Sequence, residues 1–233
     1  DRSLRRAVAD AKAAYLRDRR GFRPWQPVPG EHLVYDWGEE GPLKVFCAVL
    51  AWSRWRFVRF AERQDQATTL ALLAECFEQL GGVPGILLTD RMGCLVGGVS
   101  ANVVVPAPGY VAFAAHYGVR VDFCEAGDPE SKGVVEHLVG YAKRDLLVGL
   151  GPFDGPDDAN LTAVSWCAEL NARLHADIRA VPDERLATER TLLGGSPSAR
   201  PVLGATEPRT VDQLRTVRFR SARYSVPGSV IGR

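Results

Sequence analysis

Between His32 and Glu62 the chain carries three segments of strand character separated only by turns. HLVYDWGEE (32–40) passes through a turn at EEGP (39–42) into the long apolar run LKVFCAVLAWS (43–53). RWRFVRFAE (54–62) follows at once, alternating arginine with aromatic or aliphatic residues as a half-exposed strand does. Parallel neighbours need a crossover of a dozen residues or more, and none is available here, so these strands predict an antiparallel meander. The rhythm then changes. QDQATTLALLAECFEQLGG (64–82) reads as a helix closed by glycine, and GILLTD (85–90) as a short buried strand ending in a carboxylate. GCLVGGVSANVVVPAPG (93–109) reads as irregular, GYVAFAAHYG (109–118) as a helix and VRVDFCE (119–125) as a strand. DPESKGVVEHLVGYAKRDL (128–146) is a helix with a core stripe of Val135, Leu138, Ala142 and Leu146. The order β-β-β-α-β-α-β-α predicts an α/β fold, a mixed five-stranded sheet covered by helices.

Outside this middle, SLRRAVADAKAAYLRDRR (3–20) reads as a basic helix and RPWQPVPGE (23–31) as a Pro-rich connector. Helices are expected over 157–178 and 182–193, a linker over 193–208, and the opening strands of a small β-barrel over 216–232. The domain boundaries expected are 1–30 for the basic helix and connector, 31–150 for the core, 151–195 for a helical extension, and 196–233 for linker and partial barrel. The start at Asp1 rather than methionine suggests a piece of a longer protein.

Charge is distributed unevenly along the chain. Residues 1–30 hold 8 basic and 3 acidic side chains, residues 199–233 hold 7 and 2, and the middle holds 14 and 23. Basic ends around an acidic centre suit a nucleic-acid binder whose centre carries extra carboxylates. The longest apolar runs are too short to span a bilayer, so no membrane partner is expected. The five cysteines are scattered with no CxxC pair, which argues against zinc and for buried free thiols in a reducing compartment. GxxxxGK[ST] is absent, so the chain is not itself an ATPase, and no Ser, Cys or His arrangement suggests a covalent nucleophile.

Three carboxylates stand out by placement. Asp36 lies in the first strand, where alternation sets Leu33, Tyr35 and Trp37 on one face and Val34 and Asp36 on the other. Asp90 ends the fourth strand. Glu136 leaves the core stripe of its helix for a face shared with Lys132, Gly133, Gly140 and Lys143. In an open sheet, functional groups collect near strand ends where the chain order switches. Three oxygen ligands from separate elements suit magnesium, and two such ions can serve phosphodiester chemistry. The glycines beside Glu136 admit a nucleic-acid backbone, and the lysines contact phosphates. Glu130 is the second-ranked third ligand, its place at a helix start being explained by the helix dipole alone. Asp122 is expected to face solvent. His116 and His137 could assist, but His116, in HYG at a helix end, reads rather as a capping residue, and His137 points about 100° away from Glu136. The WSRWRFVRF run reads as a strand with one exposed face, with a nucleic-acid surface as the alternative.

VYDWGE (34–39), ILLTDRM (86–92) and HYGVRVDFCEAGDPESKGVVEHLVGYAKRDLL (116–147) together resemble the catalytic core of DDE transposases and retroviral-type integrases, nearest to IstA-type insertion-sequence transposases. The tail RTVRFRSARYSVPGSVIGR resembles the start of that family's small C-terminal barrel, and the likeness extends over most of residues 24–233. The resemblance implies a ribonuclease H-like fold, with Asp36, Asp90 and Glu136 as catalytic and metal-binding residues, the last in the K-G-x-x-E pattern Lys132-Gly133-Val134-Val135-Glu136. It implies two Mg2+ (or Mn2+) ions, double-stranded DNA as partner (element ends and target), a homo-oligomer on DNA and a separate ATPase helper of the IstB type. Lys132, Lys143, Arg144 and Arg91 are the expected DNA contacts, and a bacterial cytoplasmic, nucleoid-associated location goes with them. Arg91 replaces the family's usual Asn, and 45 residues separate Asp90 from Glu136, implying an insertion at 93–109. The family's N-terminal helix-turn-helix is absent apart from a trailing helix at 3–20, and the barrel is incomplete. The expected function is metal-dependent DNA hydrolysis followed by 3′-hydroxyl strand transfer. An inactive or domesticated DNA-binding remnant, and a metal-dependent nuclease of the same fold, remain open beside it.

Overall fold

The computed structural model of the chain describes residues 26–40, 42–101, 103–124, 129–201, 210–219 and 221–228, with the backbone alone at 40, 129–134, 147 and 219. They fall into two compact units that divide after Pro201. The helix expected over 3–20, the first part of the connector, and residues 202–209 of the expected linker lie outside the described residues.

The first unit runs β1 (His32–Glu40), β2 (Leu43–Leu50), β3 (Arg56–Ala61), α1 (Gln66–Leu80), β4 (Ile86–Thr89), β5 (Val96–Ser100), β6 (Val103–Pro106), α2 (Pro108–Tyr117), β7 (Arg120–Phe123), α3 (Pro129–Ala142), α4 (Pro156–Asn171) and α5 (Pro182–Glu189). The expected mixed sheet is present, with strand order β3-β2-β1-β4-β7. β1, β2 and β3 pair antiparallel, whereas β4 joins β1, and β7 joins β4, in parallel. The alternation read from LVYDW holds. Val34 joins Val45, Cys47, Val58 and Leu88 in one core layer, under Val135, Leu138 and Ala142 of α3 and Trp166 and Leu170 of α4. On the opposite face Tyr35 and Trp37 pack around Phe46, with ring centroids 5.7 and 5.2 Å away, toward α1 and α2.

Several expectations are corrected. The 93–109 stretch is not irregular: β5 and β6 form a separate hairpin, in which a register shift between Val96 and Gly98 accommodates glycines that hide the strand signal. β2 stops at Leu50, because Arg54 takes a left-handed conformation (φ 62°) in the turn to β3. β3 is covered rather than half exposed: α4 packs on the face of Val58 and Phe60 and along its edge, and Arg59 on the other face meets Glu75 of α1. Asn171 bonds both backbone groups of Arg56 at 2.9 Å, and Asn160 bonds those of Phe60 at 2.7 and 3.0 Å. Arg59 in the middle of that strand is 6% exposed and Arg54 and Arg56 are half-buried, so the run is not the open strand face expected. The last two helices are shorter than the 157–178 and 182–193 read from the sequence. The helix expected to reach residue 146 ends as an α-helix at Ala142 and continues as a π-helical stretch, Lys143–Val148. In that stretch Leu146 stays buried and the Asp145 carboxylate accepts the Trp166 indole N–H.

The cysteines are unbridged, with Cys47, Cys76 and Cys167 buried. Burial raises the Cys167 thiol to about 11, which keeps it an unreactive thiol at neutral pH.

α1 shows how its sequence sets its ends. Asp65 caps the N-terminus, its carboxylate accepting from the Thr68 backbone N–H (2.9 Å) and the Thr68 hydroxyl (2.8 Å), and Gly81 closes the helix in the left-handed conformation. Those two bonds, with Arg63 nearby, hold the Asp65 carboxyl below its ordinary value. The unfolded chain therefore takes up this proton before the folded one. The cap's contribution is fully present above the ordinary Asp range and lost as pH falls through the depressed folded value. Asp65→Ala is expected to cost about 1 kcal/mol at neutral pH, and less as the pH falls below that range, by urea denaturation at several pH values.

The second unit holds one antiparallel hairpin, β8 (Thr216–Phe219) and β9 (Ala222–Ser225). Asp212 anchors its start by accepting from Leu214 N, Thr216 N and the Thr216 hydroxyl.

Candidate active site

β1 and β4 run parallel with His32 against Ile86, Leu33 against Leu87 and Val34 against Leu88. Carried two residues further, that register sets Asp36 opposite Asp90, on the side of the sheet that Val34 and Leu88 share with α3. Neighbouring strands stand about 4.8 Å apart, so two carboxylates at one level lie within reach of a single ion. β4 ends at Thr89, and β1 lies between an antiparallel and a parallel neighbour. The pair therefore sits at the place where the chain order switches and a crevice opens. Trp37 N–H donates to Asp36 Oδ1 at 2.8 Å, which folds the carboxylate against its own strand. Asp36 and Asp90 are both half-buried, and one Asp90 oxygen is shielded from solvent.

Glu136 is exposed on α3, the helix that crosses this face. Val139 and Lys143, one and two turns on along its side of the helix, close over Gly38 of β1. The helix is thus seated on the same strand that carries Asp36. Among the described residues no three His, Cys, Asp or Glu side chains stand close enough together to enclose a metal ion. The donor chemistry nevertheless fits a hard divalent cation. Two carboxylates share one register level, and the third is on a long exposed side chain of the covering helix.

The expected DNA contacts divide. Arg91 and Arg144 are exposed. Lys143 is turned inward: its Nζ donates to the Glu39 carbonyl at 2.6 Å, and its charge acts on Cys47 together with that of Asp36. The side chains of Lys132 and Glu130 lie outside the described residues. Asp122 is exposed and accepts from Phe123 N, and His137 is exposed as well. His116 does not end its helix; Gly118, left-handed at φ 66°, does, and the His116 ring meets the Ala199 carbonyl at 2.9 Å.

Sequence reasoning missed Gly38, although a glycine inside a strand signals close approach. A Cβ there would stand 2.6 Å from Val139 Cγ1, 2.8 Å from Val45 Cγ1 and 2.9 Å from Lys143 Cε. Gly38→Val is expected to destabilise by about 1–3 kcal/mol through overpacking, and to lift α3, and so Glu136, off β1. Denaturant midpoints read the first effect, and proteolysis within α3 reads the second.

An integrase core domain model matches residues 27–129. A transposase for an IS21-like insertion sequence from Bacteroides fragilis is 30% identical, over 96% of this chain and 45% of that protein. The transposase of IS21 from Pseudomonas aeruginosa is 28% identical, over 94% of this chain and 60% of that protein. The chain thus spans about half the length of these relatives. Among solved structures, a chain of the simian T-cell lymphotropic virus intasome, in complex with PP2A regulatory subunit B56 gamma, superposes with a TM-score of 0.53 at 16% identity. That match covers 84% of this chain and 65% of the other. It establishes the ribonuclease H-like fold.

Proposed function

Since the chain belongs to the DDE transposase and integrase family and is IstA-like, we propose that it is the catalytic part of an insertion-sequence transposase that cuts DNA at element ends and joins them to target DNA. In the first reaction water attacks a phosphorus and the 3′ oxygen leaves as a hydroxyl. In the second that 3′ oxygen attacks a target phosphorus and displaces the next 3′ oxygen. The observation that carries this reading is the parallel pairing of β1 with β4, whose register, carried two residues past Val34 and Leu88, would set Asp36 level with Asp90 on the side of the sheet that α3 crosses. These three residues would hold two Mg2+ (or Mn2+) ions, which when bound supply Lewis acidity to both attacking and leaving oxygens.

The chain's own part is to hold and orient. β1 and β4 fix two carboxylates on rigid strands, and α3 brings the third. Exposed Arg91 and Arg144 would pair with DNA phosphates, as would Lys132. Lys143 would join them only by leaving the Glu39 carbonyl. Residues 31–150 serve as the core, 151–195 as a helical extension, and the hairpin within 196–233 as the beginning of a small barrel. Binding of element ends and target as double-stranded DNA, assembly of several copies on that DNA, and service by a separate ATPase helper complete the reading. No helix among the described residues is long and apolar enough to cross a membrane, and the place of action proposed is the bacterial nucleoid.

The test is a labelled element-end duplex incubated with the protein and Mg2+ or Mn2+. Nicking followed by joined products supports the proposal. Nicking without joining points to a nuclease. DNA binding with neither would favour an inactive remnant, the reading to which Arg91 beside Asp90 lends weight.

A further inference from the structure

The two residues that flank Asp36 point into the opposite face of the sheet, and each spends its one polar atom there. Tyr35, fully buried, donates its hydroxyl to the Tyr110 hydroxyl of α2 at 2.7 Å. Trp37 donates Nε1 to Thr69 Oγ1 of α1 at 3.2 Å. A third oxygen lies level with the first of these contacts. Thr89 is 1% exposed and falls opposite Tyr35 when the β1/β4 register is carried one residue on, but its hydroxyl has no hydrogen-bond partner among the described residues. Thr89 is also the residue directly before Asp90. The Tyr35 hydroxyl therefore ties β1 to the helix behind both carboxylates and stands level with the residue that precedes the second.

A buried hydroxyl is costly to leave without partners, so the Tyr35–Tyr110 bond resists any movement of β1 against α2. The surroundings are otherwise aromatic and apolar. Phe46 lies 5.7 Å from the Tyr35 ring, and Phe123 lies 6.4 Å from the Tyr110 ring. Burial pushes both phenols above their ordinary range, so they stay protonated at every working pH and act as fixed hydrogen-bonding groups. Past Val34 and Leu88 the ladder between the two strands is ending. The tyrosine bond to α2 holds β1 one residue before Asp36.

We infer that Tyr35 is a positioning residue: through its hydroxyl bond to Tyr110 it holds β1, and with it Asp36, in place against Asp90 from the far side of the sheet. The inference rests on the proposed metal-dependent function. Tyr35 touches neither DNA nor metal. It acts through the backbone of β1, as groups behind metal ligands do.

The experiment compares wild type, Tyr35→Phe, Asp90→Asn and Leu186→Ala as whole chains. Leu186, 1% exposed on α5, is a buried site whose loss lowers general stability. Melting temperature is followed against Mn2+ with the element-end duplex present and absent, and deuterium exchange is followed in peptides covering 33–40 and 86–92. Tyr35→Phe is expected to need about tenfold more Mn2+ for half its stabilisation, and to exchange faster in both peptides at once. Leu186→Ala should half-saturate where wild type does, despite its lower melting temperature. A Tyr35→Phe protein that half-saturates with wild type, or shifts only as far as Leu186→Ala, overturns the inference alone. A wild type that ignores Mn2+ with and without DNA, like Asp90→Asn, overturns the proposed function and the inference with it.

Discussion

Asp90→Asn is expected to lower single-turnover cleavage of an element-end duplex by at least about a thousandfold, with DNA affinity kept or slightly raised. The substitution keeps the shape of the side chain and removes its charge. Shape matters because Asp90 is half-buried at the end of β4. A smaller residue would confuse lost chemistry with lost packing. Charge matters because a hard cation is held by carboxylate oxygens, and an amide oxygen is a poor substitute. Removing one group that organises charge at a reaction centre costs about 10²–10³-fold even when the group is neutral, and a metal ligand exceeds that. Without metal, two carboxylates at one register level repel, so Asp90→Asn should not lower the melting temperature. Asp36→Asn should behave alike. Glu136→Gln should lose cleavage while Glu130→Gln retains it, which decides between the two glutamates of α3. Cleavage by Asp90→Asn within about tenfold of wild type would remove Asp90 from the site, and with it the argument from strand register.

Much of this was legible in the residues. Turns too short for a crossover forced the meander, and alternation in LVYDW set Asp36 on the face of Val34 and away from Tyr35. The core stripe of α3 followed from spacing alone, and Val135, Leu138, Ala142 and Leu146 are all buried. What was not legible depends on partners distant in sequence. Arg56 and Arg59 read as exposed because alternation with aromatics is the pattern of an exposed strand face. Nothing local shows that α4, a hundred residues later, covers Arg56 while Glu75 of α1 takes Arg59 on the other face. The β5–β6 hairpin was masked by Gly97, Gly98 and Pro106, residues depleted in strands, and its pairing is irregular where the glycines fall. Lys143 looked like a hand for DNA because the helical wheel gives its direction but not its neighbour. Gly38 leaves room for its aliphatic chain, and the Glu39 carbonyl takes its ammonium.

The covered arginine gives the largest stability effect, and its sign depends on which partner is removed. The Arg59 side chain is 7% exposed, with Nη2 and Nε each 2.7 Å from Glu75 Oε1. Its Nη1 donates to the Val58 carbonyl at 2.8 Å, and its guanidinium carbon lies 4.4 Å from the Phe57 ring centre. Glu75→Ala leaves that buried cation with one carbonyl bond and a ring face, a loss of about 3–5 kcal/mol for a buried pair broken from one side. Glu75 is 32% exposed, and Asp154, Asp157 and Asp158 line the same depression, so the lower end, about 3 kcal/mol, is expected. Arg59→Met removes the charge and keeps the stem volume. Glu75 can then hydrate, and the change should stay within about 1 kcal/mol of wild type. The double variant should resemble Arg59→Met, because without the cation nothing is stranded. Urea denaturation of the four proteins measures this directly. Equal losses from Glu75→Ala and Arg59→Met would mean that the pair itself, rather than the stranded cation, carries the energy. The same series tests the functional reading of the strand. Arg59 is buried and paired with Glu75 of α1, so Arg59→Met should leave DNA affinity and its salt dependence unchanged, whereas Arg144→Ala should weaken both.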